Sequence, residues 1–143
     1  MNSLFPFIDS KPIEKSKKAL PIYREIAWDF EKNIPLIENG NFKIVEKLEA
    51  IKTWVWKSLN TERYKYLIYS WNFGNELDSL IGKMYTPSYT TAETIRYIKE
   101  ALSINPYIES VEILGSNFKD GKLTADIKIN TIYGEGQVKL TNV

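Results

Sequence analysis

Lys122-Leu-Thr-Ala-Asp-Ile-Lys-Ile-Asn-Thr131 alternates without a break: Leu123, Ala125, Ile127, Ile129 and Thr131 interleave with Lys122, Thr124, Asp126, Lys128 and Asn130. Successive side chains of a strand point to opposite faces, so the pattern predicts a half-buried antiparallel strand with one wet face. Its partner reads as residues 108–118, joined through Asp120-Gly121 as a tight turn. Strict pairing sets Phe118 opposite Leu123 but turns Val111 and Ile113 to the wrong face. One extra residue near Gly115 and Ser116 restores them, which predicts a β-bulge there. A strand spanning residues 122–133 must be covered by its own fold or paired, because an open edge recruits strands from other chains. Gly134-Glu-Gly136 lacks the glycine spacing of a dinucleotide loop and reads as a flexible exit from the last strand.

Upstream, Thr90-Thr-Ala-Glu93 fits a capping box. The helix it opens places Ala92, Ile95, Ile98 and Leu102 on one face and ends before Asn105-Pro106. Pro87 reads as a break in the chain. Between residues 59 and 77, Tyr66, Leu67, Ile68 and Tyr69 read as a short buried strand and Asn72 to Asn75 as a glycine-centred turn. Glu76 then begins a short helix that stops at Gly82. Val45, Leu48, Ile51, Val55 and Leu59 recur at helical spacing, with Trp54 and Trp56 flanking the stripe. Asn39-Gly40, set between Leu36-Ile37 and Phe42-Lys-Ile44, is a strong hairpin cue, and residues 23–30 read as a strand with Ile26, Trp28 and Phe30 on one face. Together these elements predict a small single α+β domain with an N-terminal hairpin, two to three helices and a long C-terminal antiparallel β-hairpin.

Residues 1–20 carry Pro6 and Pro12 and the run Lys15-Ser-Lys-Lys18 with no sustained periodicity, and they read as an extended arm ahead of a domain over 21–143. The competing reading is a disordered tail, which Leu4, Phe5, Phe7 and Ile8 weaken. An arm that docks on a partner accounts for them.

The 143 residues suffice for one domain with a real core. The 19 basic against 18 acidic residues give no summed field to attract polyanions, which disfavours sequence-independent nucleic-acid binding. Neither cysteine nor histidine is present, so thiolate chemistry, most transition-metal sites and the commonest general base are missing, and no cofactor is expected. No segment approaches the roughly 20 apolar residues that span a bilayer, and the N-terminus lacks a basic region followed by a small-residue cleavage site, so the expectation is a soluble chain made inside the cell with no membrane partner.

Glycoside hydrolysis survives these exclusions, because it needs only two carboxylates at a defined separation. Glu62, Glu76 and Asp78 lie near the aromatic segment, but no spacing distinguishes an acid from a nucleophile, and acidic residues in loops and first helical turns are ordinarily solvated. The aromatic run from Tyr64 to Phe73 has only Arg63 and Lys65 interleaved, too few for a nucleic-acid stacking platform, and reads as core packing.

Taken in order, Thr61-Glu-Arg63, Tyr69-Ser-Trp-Asn-Phe-Gly74-Asn-Glu-Leu77, a capped helix, Asn105-Pro-Tyr-Ile108 and a hairpin ending Thr131-Ile-Tyr-Gly134 carry a resemblance over about residues 23–138. The chain resembles the lysozyme-like baseplate wedge family of contractile phage tails, also called sheath initiators, and especially its branch in phage-like elements and R-type bacteriocins. Thr61 and Arg63 match the family's threonine and arginine, and Asn72-Phe73-Gly74 matches its acidic-aromatic-glycine turn with asparagine in the acidic place. Of the family's Glu-Pro-Arg element, which falls on Asn105, Pro106 and Tyr107, only the proline is kept. The resemblance implies a structural, non-enzymatic baseplate subunit, present in several copies, whose C-terminal hairpin accepts arms of the tail sheath protein and starts sheath polymerisation. Leu123, Ala125, Ile127, Ile129, Thr131 and Tyr133 then mark the augmenting surface. The N-terminal arm reaches other baseplate wedge proteins, with tube or hub proteins as further neighbours. Such a subunit is expected in the bacterial cytoplasm during assembly and in the baseplate of the released particle.

Overall fold

The computed structural model describes residues 19–65, 68, 73–80, 85–120 and 122–141, with the side chain of Asp78 excepted. The N-terminal arm falls almost wholly outside these residues. So do Tyr66, Leu67, Tyr69, Asn72, Gly82 and Gly121.

The chain enters the fold through six very short strands: β1 (Arg24–Ile26), β2 (Trp28–Asp29), β3 (Ile34–Pro35), β4 (Ile37–Glu38), β5 (Asn41–Phe42) and β6 (Ile44–Glu46). They pair as three separate antiparallel ladders, β1 with β6, β2 with β3 and β4 with β5. The ladders meet at a node of three residues. Ala27 N–H donates to Lys43 O (2.8 Å), Lys43 N–H to Leu36 O (2.9 Å) and Leu36 N–H to Ala27 O (2.9 Å), a closed ring of backbone hydrogen bonds. This corrects the reading of residues 23–30 as one strand: at the buried Ala27 the chain changes partner from β6 to β3. The hairpin expected at Asn39-Gly40 is present, with Ile37 opposite Phe42 and both turn residues in the left-handed region (φ 52° and 77°) that a tight hairpin turn demands.

Helix α1 (Lys47–Leu59) follows and buries Ala50, Ile51, Val55 and Leu59, while Trp54 and Trp56 pack at the margin of the core. The predicted stripe is thus present, although Val45 belongs to β6. A single 3₁₀ turn, Leu77–Leu80, stands where the short helix was expected. Ile68 sits in a turn at 88% exposure, which corrects its placement in a buried strand. Helix α2 (Pro87–Ser103) starts four residues earlier than the capping-box reading predicts. Thr86 is the N-cap, its Oγ1 accepting from Tyr89 N–H (3.3 Å), and Pro87 occupies the first helical position, where its missing N–H costs nothing. Thr90 instead donates its hydroxyl to Thr86 O, and Glu93 pairs with Arg96. The buried face is Thr90, Thr94, Ile98, Ala101 and Leu102; Ala92 is exposed, not buried as expected.

The chain closes with β7 (Ile108–Lys119), β8 (Lys122–Thr131) and β9 (Gly134–Thr141), a sheet in the order β7-β8-β9. Phe118 pairs with Leu123, and the register slips between Ile113 and Gly115, leaving Leu114 as the extra residue of the predicted bulge. Val111 then faces Ile129 and Ile113 faces Ile127. The helices cover one face of this sheet, and their apolar sides meet Leu123, Ala125, Ile127, Ile129, Val138 and Leu140 in one core. The result is the expected small α+β domain, with a three-stranded sheet in place of a two-stranded hairpin.

Candidate strand-docking site

Leu123, Ala125, Ile127, Ile129 and Thr131, chosen from the sequence as an augmenting surface, are all buried on the helix side of β8. The strand itself has no free edge. β7 pairs along one side of it, and β9 along the other from Thr131 opposite Gly134 to Thr124 opposite Thr141. Of the two readings of residues 122–133, covered by its own fold or paired with another chain, β8 follows the first, while the reading of Gly134-Glu-Gly136 as a flexible exit is corrected: those residues begin a third strand. Tyr133 lies in the β8–β9 turn, where its hydroxyl accepts from Tyr23 N–H (3.2 Å) and its ring stacks on Tyr107 (6.2 Å between centroids).

The sheet's two outer edges belong to β7 and β9. Pairing in β7 is interrupted twice, at Glu109 and at Leu114, whereas β9 runs through its eight residues without a shift. Among the described residues no strand pairs with the outer side of β9. A groove of about 780 Å³ runs beside it, lined by Gln137, Val138, Lys139 and Thr141, by Lys52 and Trp56 from successive turns of α1 and Asn60 at its C-cap, and by Phe30, Glu31 and Asn33 at the tip of the β2–β3 arm. Phe30 stacks on Trp56 (5.2 Å, 23° between planes) yet stays 42% exposed. Asp29 fixes the tip, its Oδ1 accepting from Glu31 N–H and Lys32 N–H at 3.0 Å each, while Trp28 Nε1–H donates to Asn33 Oδ1 (3.1 Å). On the other flank of α1, a cleft lined by Trp28, Trp54, Trp56 and Phe73 holds the Lys57–Glu25 ion pair (2.8 Å).

The groove thus runs along the outer edge of a strand whose inner edge is fully paired with β8. The family model for the contractile injection system sheath initiator matches residues 24–134. The chain belongs to the sheath-initiator family. It is also 36% identical over 112 residues to the phage-like element PBSX protein XkdS of Bacillus subtilis (strain 168), a match covering 76% of this chain and 74% of that protein. The family match ends at Gly134, where β9 begins.

In this sheath initiator the motif residues of the 61–75 region form one joint. Thr61 Oγ1 donates to Lys57 O (2.7 Å) at the end of α1. Arg63 N–H donates to Asn75 O (2.9 Å), and its guanidinium reaches Glu100 on α2 (2.8 Å) and Gly74 O (3.3 Å). Burial works against that charge, but the hydrogen bonds and charges of its neighbours, Glu100 foremost, outweigh it and raise the Arg63 pKa. Gly74 is held at φ +100°, and a Cβ there would meet Thr61 O at 2.7 Å, so only glycine fits the joint. Phe73 packs edge-on against Trp54 (5.9 Å). Sequence reasoning missed Asn75, the buried residue at the centre: its Nδ2 donates toward the carbonyls of Ser58, Leu59 and Thr61, and its Oδ1 accepts from Leu77 N–H. No periodicity marks such a residue.

Asn105 Oδ1 accepts from Tyr107 N–H (3.0 Å), a turn that holds Pro106 between α2 and β7. Tyr107 donates its hydroxyl to Pro21 O (2.8 Å) and so ties the entry of the chain to the start of the sheet. Of the carboxylates considered for hydrolysis, Glu62 pairs with Lys65 (2.8 Å) and Glu76 lies 3.9 Å from Arg63, while the side chain of Asp78 is outside the described residues. Neither Glu62 nor Glu76 lines the groove or the cleft. Among the described residues no helix is long and apolar enough to cross a membrane, and no acidic cluster has the makings of a metal site.

Proposed function

We propose that this sheath initiator is a structural component of a contractile-tail baseplate and that it starts sheath polymerisation by accepting an extended segment of a sheath subunit as an added strand on its C-terminal sheet. The observation that carries the proposal is the regular outer edge of β9, unpaired among the described residues, whose backbone donors and acceptors a sheath strand would satisfy. The buried residues of β8, from Leu123 to Thr131, serve the site from beneath by fixing the sheet to the helices. Tyr133 serves it by anchoring the β8–β9 turn. Residues 1–20 act as an arm to neighbouring wedge proteins, with tube or hub proteins within reach. Several copies per particle give the ring from which the sheath grows. The phage-like element named for the Bacillus relative supports this setting.

The test is kinetic. Purified sheath subunits are mixed with tail tubes, with and without a substoichiometric amount of the chain, and assembly is followed by light scattering and electron microscopy. A shortened lag with sheaths growing from one end is the expected result. An unchanged lag, with no binding of the sheath subunit, overturns the proposal.

A further inference from the structure

We infer that the incoming strand is clamped between β9 and the β2–β3 arm, and that the clamp selects a segment of alternating apolar and polar residues with an acidic side chain abreast of Lys139. The inference rests on the strand-acceptance reading above and names the chemistry of the segment accepted.

The pleat of β9 dictates the alternation. Val138 and Leu140 point into the core, while Gln137, Lys139 and Thr141 are exposed. A strand laid alongside, about 4.8 Å away, continues that pleat, so every second residue falls on the helix side. There it meets the exposed part of the Phe30–Trp56 stack and the stem of Lys52, an apolar surface that a small or polar side chain would leave unfilled. Residues of the opposite parity come to lie beside Gln137, Lys139 and Thr141. Lys139 forms no ion pair among the described residues, and in the ladder it stands opposite Asp126. A carboxylate on the added strand would flank it on the other side, giving cross-strand neighbours of alternating sign. The groove spans Gln137 to Thr141, roughly 17 Å of strand at about 3.4 Å per residue, which sets the length of the recognised core at about five residues. Backbone groups repeating along such an edge match those of another extended backbone, which favours a peptide segment as the occupant.

Phe30 gives the clamp its reach. It projects from an arm of only two ladder pairs that hangs from the node at Ala27, and its partly exposed ring faces the edge across the groove. A half-exposed aromatic beside a strand's free outer edge is the kind of anchor that dominates an interface.

Amide hydrogen exchange on the full chain, with and without the purified sheath subunit, separates the possibilities when combined with Phe30→Ser and Lys139→Glu. Lys139 is exposed and carries no ion pair among the described residues, so Lys139→Glu should keep the parental circular dichroism and melting temperature, while Phe30→Ser, which gives up the stack on Trp56, should keep the circular dichroism and melt slightly lower. The expected result is new protection over residues 30–33 and 137–141, with each variant weakening sheath binding about tenfold and the Lys139→Glu loss restored by a basic residue at the matching acidic position of the sheath segment. Protection confined to residues 108–118, with neither variant affecting binding, overturns the clamp while leaving strand acceptance standing on the other edge. Protection of neither edge overturns both.

Discussion

The two outer strands of the C-terminal sheet share one central partner and meet solvent in different ways. β7 is the longer, but its pairing with β8 slips at Glu109 and again at Leu114, and α2 lies along its first half, where Lys99, Ser103, Ile108 and Val111 line a hollow of about 270 Å³. β9 is shorter and unbroken, and an open groove runs beside it. Bulges twist an edge away from would-be partners and are a common way of blunting it. The contrast shows how one sheet can carry a closed side and an open side without any difference in the strand between them. What separates the sides is one extra residue at each slip and the cover each helix provides.

The largest expected effect tests what the sides share. Ile127 is fully buried and faces Ile113 on one side and Val138 on the other. Ile127→Ala should cost about 3 kcal/mol in urea unfolding and lower amide protection in β7 and β9 together. Loss of protection on one side alone would mean that the edges are held independently. A smaller effect tests what divides them. Deleting Leu114 leaves Ile113 opposite Ile127 and Gly115 opposite Asp126 in a ladder uninterrupted from Ser110 to Lys119, so no core residue changes face. Stability should move by no more than about 1 kcal/mol, while the straightened β7 edge should raise self-association about tenfold above the parent in sedimentation velocity. An unchanged sedimentation profile would show that the bulge is not what closes that edge.

The smallest effect lies at the end of the sheet common to both edges, where Tyr23, Tyr107 and Tyr133 pack together. Burial, reinforced by the charge of Glu25, pushes the Tyr23 hydroxyl up to about 12 from its ordinary 10. The folded state thus holds this proton more tightly than the unfolded one. The resulting stabilisation is complete below pH 10 and is lost as pH rises through about 12. Tyr23→Phe should remove that part of the alkaline loss, read as a flatter fall in unfolding midpoint across this interval than the parent shows. Equal slopes would mean that the hydroxyl is as accessible folded as unfolded.

Much of the C-terminal sheet was legible because burial on one face writes itself into alternation: β8, its pairing with β7 and the bulge all follow from which residues must face the core. The third strand escaped because Gly134 and Gly136 erase the alternation at its start, leaving only Val138 and Leu140 to show it. Gly136 lies close under α1, where a Cβ would come within 3.1 Å of the Leu48 side chain. Pro87 was misjudged as a break because proline ends some helices and begins others, and Thr86 decided the matter only with its hydroxyl in place. The groove left no local trace at all. Phe30, Trp56 and Val138 are far apart in the chain and come together only through the node at Ala27 and the register of β9. Of the motif residues, Thr61, Arg63 and Gly74 were recognisable as a set, but what binds them is Asn75.

The ring of hydrogen bonds joining Ala27, Leu36 and Lys43 also bears on how such a protein can diverge. Each of the three ladders keeps its own register, and none passes through the node into another. Residues inserted as cross-strand pairs beyond Ile37 and Phe42 would therefore lengthen the β4–β5 arm without shifting Phe30 in the other. Ile37 and Phe42, at 68% and 57% exposure, already stand clear of the body. Descendants of this chain could remodel that protruding arm for new neighbours while inheriting the groove unchanged.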